Sequence, residues 1–516
     1  MSEDRYAKKW QAMIGIGLLS FVVFMDFGLA NTILPGIQAD LQATVNELQW
    51  VMNAFAMMLA MFVVTMGRLG DIYGRRMVLY IGTVVFGLSS VLAGAAPGPE
   101  ILIVARVVQG ISGAIGMTCA VSLVMYAFPE EEHGRALGIF MAITAAGLAV
   151  GPVIGGVFLS LLSWRWAFFI NIPITVLGFL VARGAVAETP RLLNEKVDWL
   201  GLCFLIPGIG CLTFFIMQGN SWGWFSPVQI ALYAVTIIAV IGLIMVESRA
   251  KFPIIDMKLL KIPMVQFSLI GAIGMGGFIS LGTFLPPLFL VSVQNQPGYI
   301  AGLMLLSITA MVMIVPPLIG KSVDRRGPVP FVIAGQFAMV IAAVTQVYFV
   351  AASPAWFVIL GLALFGLGWG LQQGSSLKAA TMALPQEAAG VAVGTMWTVL
   401  NIAKTLTVAI GGLILTTTDH ARLEASLAAA NITLSDHQQH IIRSLLSDPS
   451  QAQQVLGELP ADLDTEIAPL FHESFMAGYS GAMWFMAAVC ALCLIGLVLL
   501  SFRVRAAERW AAGPEA

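Results

Sequence analysis

Asp26 stands inside a long apolar run that begins near Gln11. A charge at the centre of a membrane helix costs about 2.5–3.5 kcal/mol on insertion scales. A carboxyl group there can take up a proton from one side and release it to the other, which is the chemistry of a proton-coupled carrier. The same residue could instead cap a bend near Gly28 or belong to a static hydrogen-bonded network. Arg106 lies early in another apolar run, and its guanidinium must find acceptors there or snorkel outward. Lys404 is the second cation inside an apolar run; it could bind an acid or line a cavity, and a charged Lys404 argues against a purely cationic pocket. Asn31, Trp50, Asn53, Gln109, Gln266, Gln336, Trp369, Gln372, Gln373, Trp397 and Asn401 are the remaining polar or aromatic cavity candidates.

The elements that position these residues follow from composition. Of 516 residues, 59% are hydrophobic and 10% charged, with a net charge of −2, and the mean hydropathy is +0.89. A soluble domain is about 25% charged, so this is an integral membrane protein. No basic patch offers a nucleic-acid surface, and no phosphate-binding G-x-x-x-x-G-K-[ST] loop is present. All five cysteines, including the Cys490-x-x-Cys493 pair, sit in apolar runs and read as small hydrophobes. The first apolar run is too long for a cleavable signal peptide.

A bilayer core needs about 20 mostly apolar residues per helix, and fourteen such runs are present. Numbered alternately, the loops on one side collect most of the Lys and Arg. The other side has only Arg165, Arg422 and Arg443. The positive-inside rule then puts both termini in the cytoplasm. One outer loop is long, at 419–474, and reads as a helical excursion. Its His437 and His440 could share a metal but read better as solvated.

The chain repeats itself. Gly67-x-x-x-Asp71 leads into Gly74, Arg75 and Arg76; Gly320-x-x-x-Asp324 leads into Arg325, Arg326 and Gly327. Both stretches fall in cytoplasmic loops. A duplicated six-helix half explains them, with two spans inserted between the copies. The glycines permit tight turns, an aspartate suits a helix N-terminus, and the arginines can meet headgroups or neighbouring acids. Such contacts would hold the cytoplasmic face closed. A second pattern, Gly147-x-x-x-Gly151-Pro152-x-x-Gly155-Gly156, makes a small-residue face that packs closely. Pro152 loosens the backbone there. This helix could form the interface between the halves and seal it against proton leak.

With these motifs in order, the chain resembles the fourteen-helix drug–proton antiporters of the major facilitator superfamily (Emr-type and Qac-type exporters). The Gly67–Arg76 loop is similar to G-x-L-x-D-x-x-G-R-[RK]. Arg106-Val107-Val108-Gln109-Gly110 is similar to R-x-x-Q-G. The Gly147–Gly156 stretch resembles the antiporter motif. Asp26, Asn31, Leu34 and Pro35 match the first-span pattern, and Trp164–Pro173 resembles W-R-W-x-F-x-[IL]-N-x-P. Gly28 departs from the usual threonine, Phe55 from tyrosine, and Lys404 from arginine or glutamine. The resemblance implies an all-α inner-membrane protein with two six-helix bundles, at 1–190 and 258–505, and two accessory spans at 198–250. It implies proton-driven export of hydrophobic or cationic compounds, with Asp26 and Arg106 in proton coupling and no cofactor beyond the gradient. Membrane lipids are its surroundings, and a periplasmic adaptor would suit a host with two membranes. A native lipid, siderophore or metabolite cargo is the alternative; a ligand sensor without flux is a distant third. No paired acids or nucleophile–base pattern suggest an enzyme.

Overall fold

The computed structural model describes residues 6–191, 198–250 apart from 224, 261–382 apart from 297, 389–429 and 461–512. Among these there is no strand. A bilayer offers no partner to free backbone groups, so a spanning chain satisfies them within helices. Apart from the four-residue helix Trp166–Phe169, fourteen α-helices follow in order: α1 (Lys9–Leu41), α2 (Val45–Tyr73), α3 (Arg75–Gly94), α4 (Pro99–Ala127), α5 (His133–Leu161), α6 (Asn171–Ala182), α7 (Trp199–Trp222), α8 (Pro227–Glu247), α9 (Pro263–Leu288), α10 (Gly298–Arg326), α11 (Val329–Val347), α12 (Ala355–Met382), α13 (Ala389–Ala429) and α14 (Ala461–Ala512). Twelve are long and apolar enough to cross a membrane. Shorter apolar stretches, Trp166–Ala182 and Trp199–Phe215, stand at the sixth and seventh positions. This is consistent with fourteen spans.

Local chemistry sets the ends. Thr44 and Glu47 form a reciprocal capping box at the start of α2. Pro99, Pro227 and Pro263 occupy first turns, where the missing N–H costs nothing. The Asp198 carboxylate accepts from Gly201 N at 2.9 Å to start α7.

Packing separates two groups. α1 lies on α5 and α6, and α2 on α4; α9 lies on α13 and α14, and α11 on α12 and α14. The groups meet where α10 crosses α5 and where α13 crosses α2. α7 and α8 pack on each other, with α7 also against α2. Leu88, Val153, Leu318 and Leu499 are all exposed, as a lipid-facing surface requires. The long loop expected at 419–474 is entered by helix: α13 continues to Ala429 and α14 begins at Ala461. His437 and His440 lie outside the described residues, as do the linkers around 192–197 and 251–260.

Candidate functional site

α1 brings Asp26, α4 brings Arg106 and Gln109, α3 brings Ser90, and α6 brings Asn171, all to one point inside the first group. Each of these side chains is fully enclosed. The Asp26 carboxylate is ion-paired with Arg106 through Oδ2 and accepts from Asn171 Nδ2 at 2.8 Å through Oδ1. Arg106 also donates to Gln109 Oε1 at 2.9 Å and to Val51 O at 3.0 Å. Gln109 Nε2 donates to Ser90 Oγ at 2.9 Å. The guanidinium lies 4.4 Å from the Phe55 ring centroid, so Phe55, with no hydroxyl, offers a ring face. Arg106 therefore does not snorkel. Arg106 Nη2 and Asn171 Oδ1 are buried with no partner among the described residues. Removing one member of a buried ion pair costs about 3–5 kcal/mol, so this cluster holds α1, α4 and α6 together. Asn171 was visible in the W-R-W segment but not singled out, and Ser90 had no signal. Gln109 belongs here and not to a cavity.

The two loop repeats differ in what they bind. Asp71 pairs with Arg75 one turn on, at 2.6 Å. Glu188, just after α6, accepts from Arg76 N at 2.9 Å and so caps α3; Gly74, at φ +104, passes close to it. Gly67 is buried beside this turn. In the second copy Asp324 crosses to the other group. It accepts from Gly134 N and Arg135 N at the start of α5, the latter at 3.0 Å. It also pairs with Lys378 of α12. Arg325 is exposed. Asp324 thus bridges the two groups, with Lys378 and Gly134 in roles that motif reading missed.

The glycine ladder of α5 corrects an expectation. It faces α1, not the other half. A Cβ on Gly147 would lie 2.5 Å from Phe21 O, and one on Gly151 2.5 Å from Met25 O. At Gly155 the approach to Leu29 O is 3.1 Å, and Gly156 has only an ordinary contact with Thr32. Gly28 returns the contact: its Cβ would sit 2.6 Å from Leu148 O and 3.3 Å from Pro152 Cδ. A glycine where threonine is usual fits this close approach. The interface between the groups is made lower on α5, where Gly134 and Gly138 lie against Gly320 and Pro316.

The cavity candidates divide. Trp397 borders a narrow cleft between the groups, together with Ser20, Phe24, Met141 and Thr144. Asn401 lies one turn further along α13 and donates to Trp397 O at 2.8 Å. Asn53 and Lys404 are half-buried. Trp369 packs edge-on to Phe365. Trp50 was expected in the cavity but stacks on Phe214 of α7, 5.4 Å between centroids, which ties the accessory pair to α2. Gln372 donates to Gly271 O at 2.7 Å and Gln336 to Cys490 O at 3.1 Å. Both brace helices of the second group. The side chain of Asn31 lies outside those described.

Residues 16–408 match the family model of the Major Facilitator Superfamily. Multidrug resistance protein Stp of Mycobacterium tuberculosis is 30% identical over 86% of this chain and 82% of its own length. The tetracenomycin C resistance and export protein of Streptomyces glaucescens is 25% identical over 97% and 93%. Among solved structures, the proton:xylose symporter XylE superposes with a TM-score of 0.56 at 13% identity, over 95% of each chain. That likeness speaks to the fold alone. The helix order, the paired loops and these matches together make the chain a member of the major facilitator superfamily.

Proposed function

We propose that this protein exports hydrophobic compounds in exchange for protons by alternating access. In this reading it lies in the cytoplasmic membrane, with the basic face and both termini inside. Relatives named for multidrug resistance and export support the cargo class. The observation that carries the coupling is the enclosed Asp26–Arg106 pair. A proton on Asp26 cancels its charge and frees Arg106, which keeps Val51 O and Gln109. A buried cation without its counterion is costly, so the cluster must rearrange. α5 carries that change. Its ladder grips α1 within a turn of Asp26, and its N-terminus is held by Asp324. Movement of α1 on α5 therefore acts on the contact that closes the basic face.

The test uses inverted membrane vesicles energised acid inside. Hydrophobic dyes added one at a time should release protons with wild type and not with Asp26→Asn, whose folding is checked by size exclusion. An Asp26→Asn protein that still exchanges dye for protons would refute the coupling role. Folded wild type that releases none with any dye would refute drug export.

A further inference from the structure

Lys404 is the charge that this scheme leaves unused. Its place on α13 is settled by its neighbours. Leu406, Ile410 and Leu413 are exposed apolar residues on one side of the helix. Trp397, Asn401 and Lys404, four and then three residues apart, fall on the opposite side at the 3.6-residue period, and Trp397 borders the cleft between the groups. Lys404 thus points inward, about two turns outward from Trp397.

The depth can be worked out too. Gly394 of α13 lies against Val63 and Val64 of α2. The two helices run antiparallel. Ten residues along α13 lead to Lys404, and eleven back along α2 lead to Asn53. At about 1.5 Å per residue each is roughly 15 Å from that contact, so the two stand at one level. α1 adds Phe24, which borders the cleft, and Phe27, one turn on and 38% exposed.

Among the described residues, neither Lys404 nor Asn53 has a hydrogen-bond or ion-pair partner, and the Trp397 indole N–H is buried without one. Among the described residues, no acid stands ready to neutralise the lysine. α7, α9 and α12 contain none. Glu47 and Asp71 are at the ends of α2, and Glu100 is in the first turn of α4. Asp419 is fifteen residues along α13, about 22 Å away, and Glu473 of α14 pairs with Arg422. Asp26, at a similar depth, is enclosed and already holds Arg106. The cleft therefore offers a cation, N–H donors and aromatic rings, and no free carboxylate. A cationic ligand would meet repulsion there. An anion would supply the missing acceptor, and bonds to a charged group are worth more than neutral ones.

We infer that Lys404 recognises an anionic group, a carboxylate or sulfonate, on an aromatic frame, and that exported compounds of this class bind between α13, α1 and α2. Export of the bound compound rests on the function proposed above; its binding does not.

The experiment pairs two aromatic probes of permanent and opposite charge, 2-naphthalenesulfonate and ethidium. Binding is measured by titration calorimetry on the detergent-purified full chain, and uptake in inverted vesicles energised acid inside. Wild type should bind the sulfonate more tightly than ethidium. Lys404→Met, close in volume and apolar, should weaken the sulfonate by about tenfold or more and leave ethidium unchanged or tighter. Lys404→Arg should stay within about threefold of wild type for the sulfonate, because it keeps the charge. Sulfonate binding that is absent in wild type, or equal in Lys404→Met, overturns the assignment whatever the uptake shows. Lysine-dependent binding with no energised uptake of either probe would instead overturn the export reading and leave the binding site standing.

Discussion

An added methyl at Gly151 should do more damage than one at Gly156, five residues further along the same helix. The new Cβ at Gly151 would sit 2.5 Å from Met25 O, 2.8 Å from Leu29 N and 3.0 Å from Gly28 C, all backbone atoms of α1. Backbone atoms of a packed helix cannot swing aside. Carbon atoms do not approach closer than about 3.4–3.5 Å without cost, so α1 and α5 must part by several tenths of an ångström. Overpacking of this kind costs about 1–3 kcal/mol. It is offset by the roughly 0.5–1 kcal/mol that alanine gains over glycine inside a helix. The balance at Gly151 is net destabilisation. At Gly156 the nearest atom is Thr32 Cγ2 at 3.8 Å, so the helical gain stands alone. Gly155, with Leu29 O at 3.1 Å, falls between. The assay is the thermal midpoint of purified Gly151→Ala, Gly155→Ala and Gly156→Ala proteins at one heating rate, because unfolding of such a protein is irreversible. The expected order is Gly156→Ala at or above wild type, then Gly155→Ala, then Gly151→Ala lowest. Met25 neighbours Asp26, so Gly151→Ala should also depress dye-driven proton release. Equal midpoints for Gly151→Ala and Gly156→Ala would refute the close approach of α1 and α5.

Three further outcomes are expected. Arg106→Ala leaves Asp26 enclosed without its counterion and should lower folded yield, on a cost of about 3–5 kcal/mol; Arg106→Ala combined with Asp26→Asn should recover part of that yield, and no recovery would argue against the pair. Asp324→Asn weakens charge-assisted bonds to two backbone N–H groups and Lys378, so hydrogen exchange over 133–137 should speed up by about 10-fold or more; unchanged exchange would mean that this contact does not hold the basic face shut. Hydrogen bonds from Arg165 and Trp164 hold the Asp40 carboxyl below the usual carboxylate range. Its contribution is therefore present above the ordinary aspartate value and is lost as pH falls through the lowered one. The thermal midpoint of wild type should drop more steeply below about pH 4 than that of Asp40→Asn, and parallel curves would count against the Arg165 contact.

The membrane class, the helix order and the repeated loops were open to reading from residue type alone. Lipid imposes one solution on every span, so a long apolar stretch is its own evidence. Asp26 and Arg106 stood out for the same reason: a charge in such a stretch must be accommodated somehow. What the chain order could not supply was rotation and partnership. Trp50 and Trp397 are alike as residue types, yet one stacks on α7 and the other borders the cleft. The ladder from Gly147 to Gly155 announced a close contact without saying with which helix. Asp71 and Asp324 fill matching places in the repeat, but Asp324 reaches the other group while Asp71 pairs with Arg75. Such choices depend on which face each helix turns to its neighbours. That is decided by packing among residues far apart in the chain, and only the tertiary structure contains it.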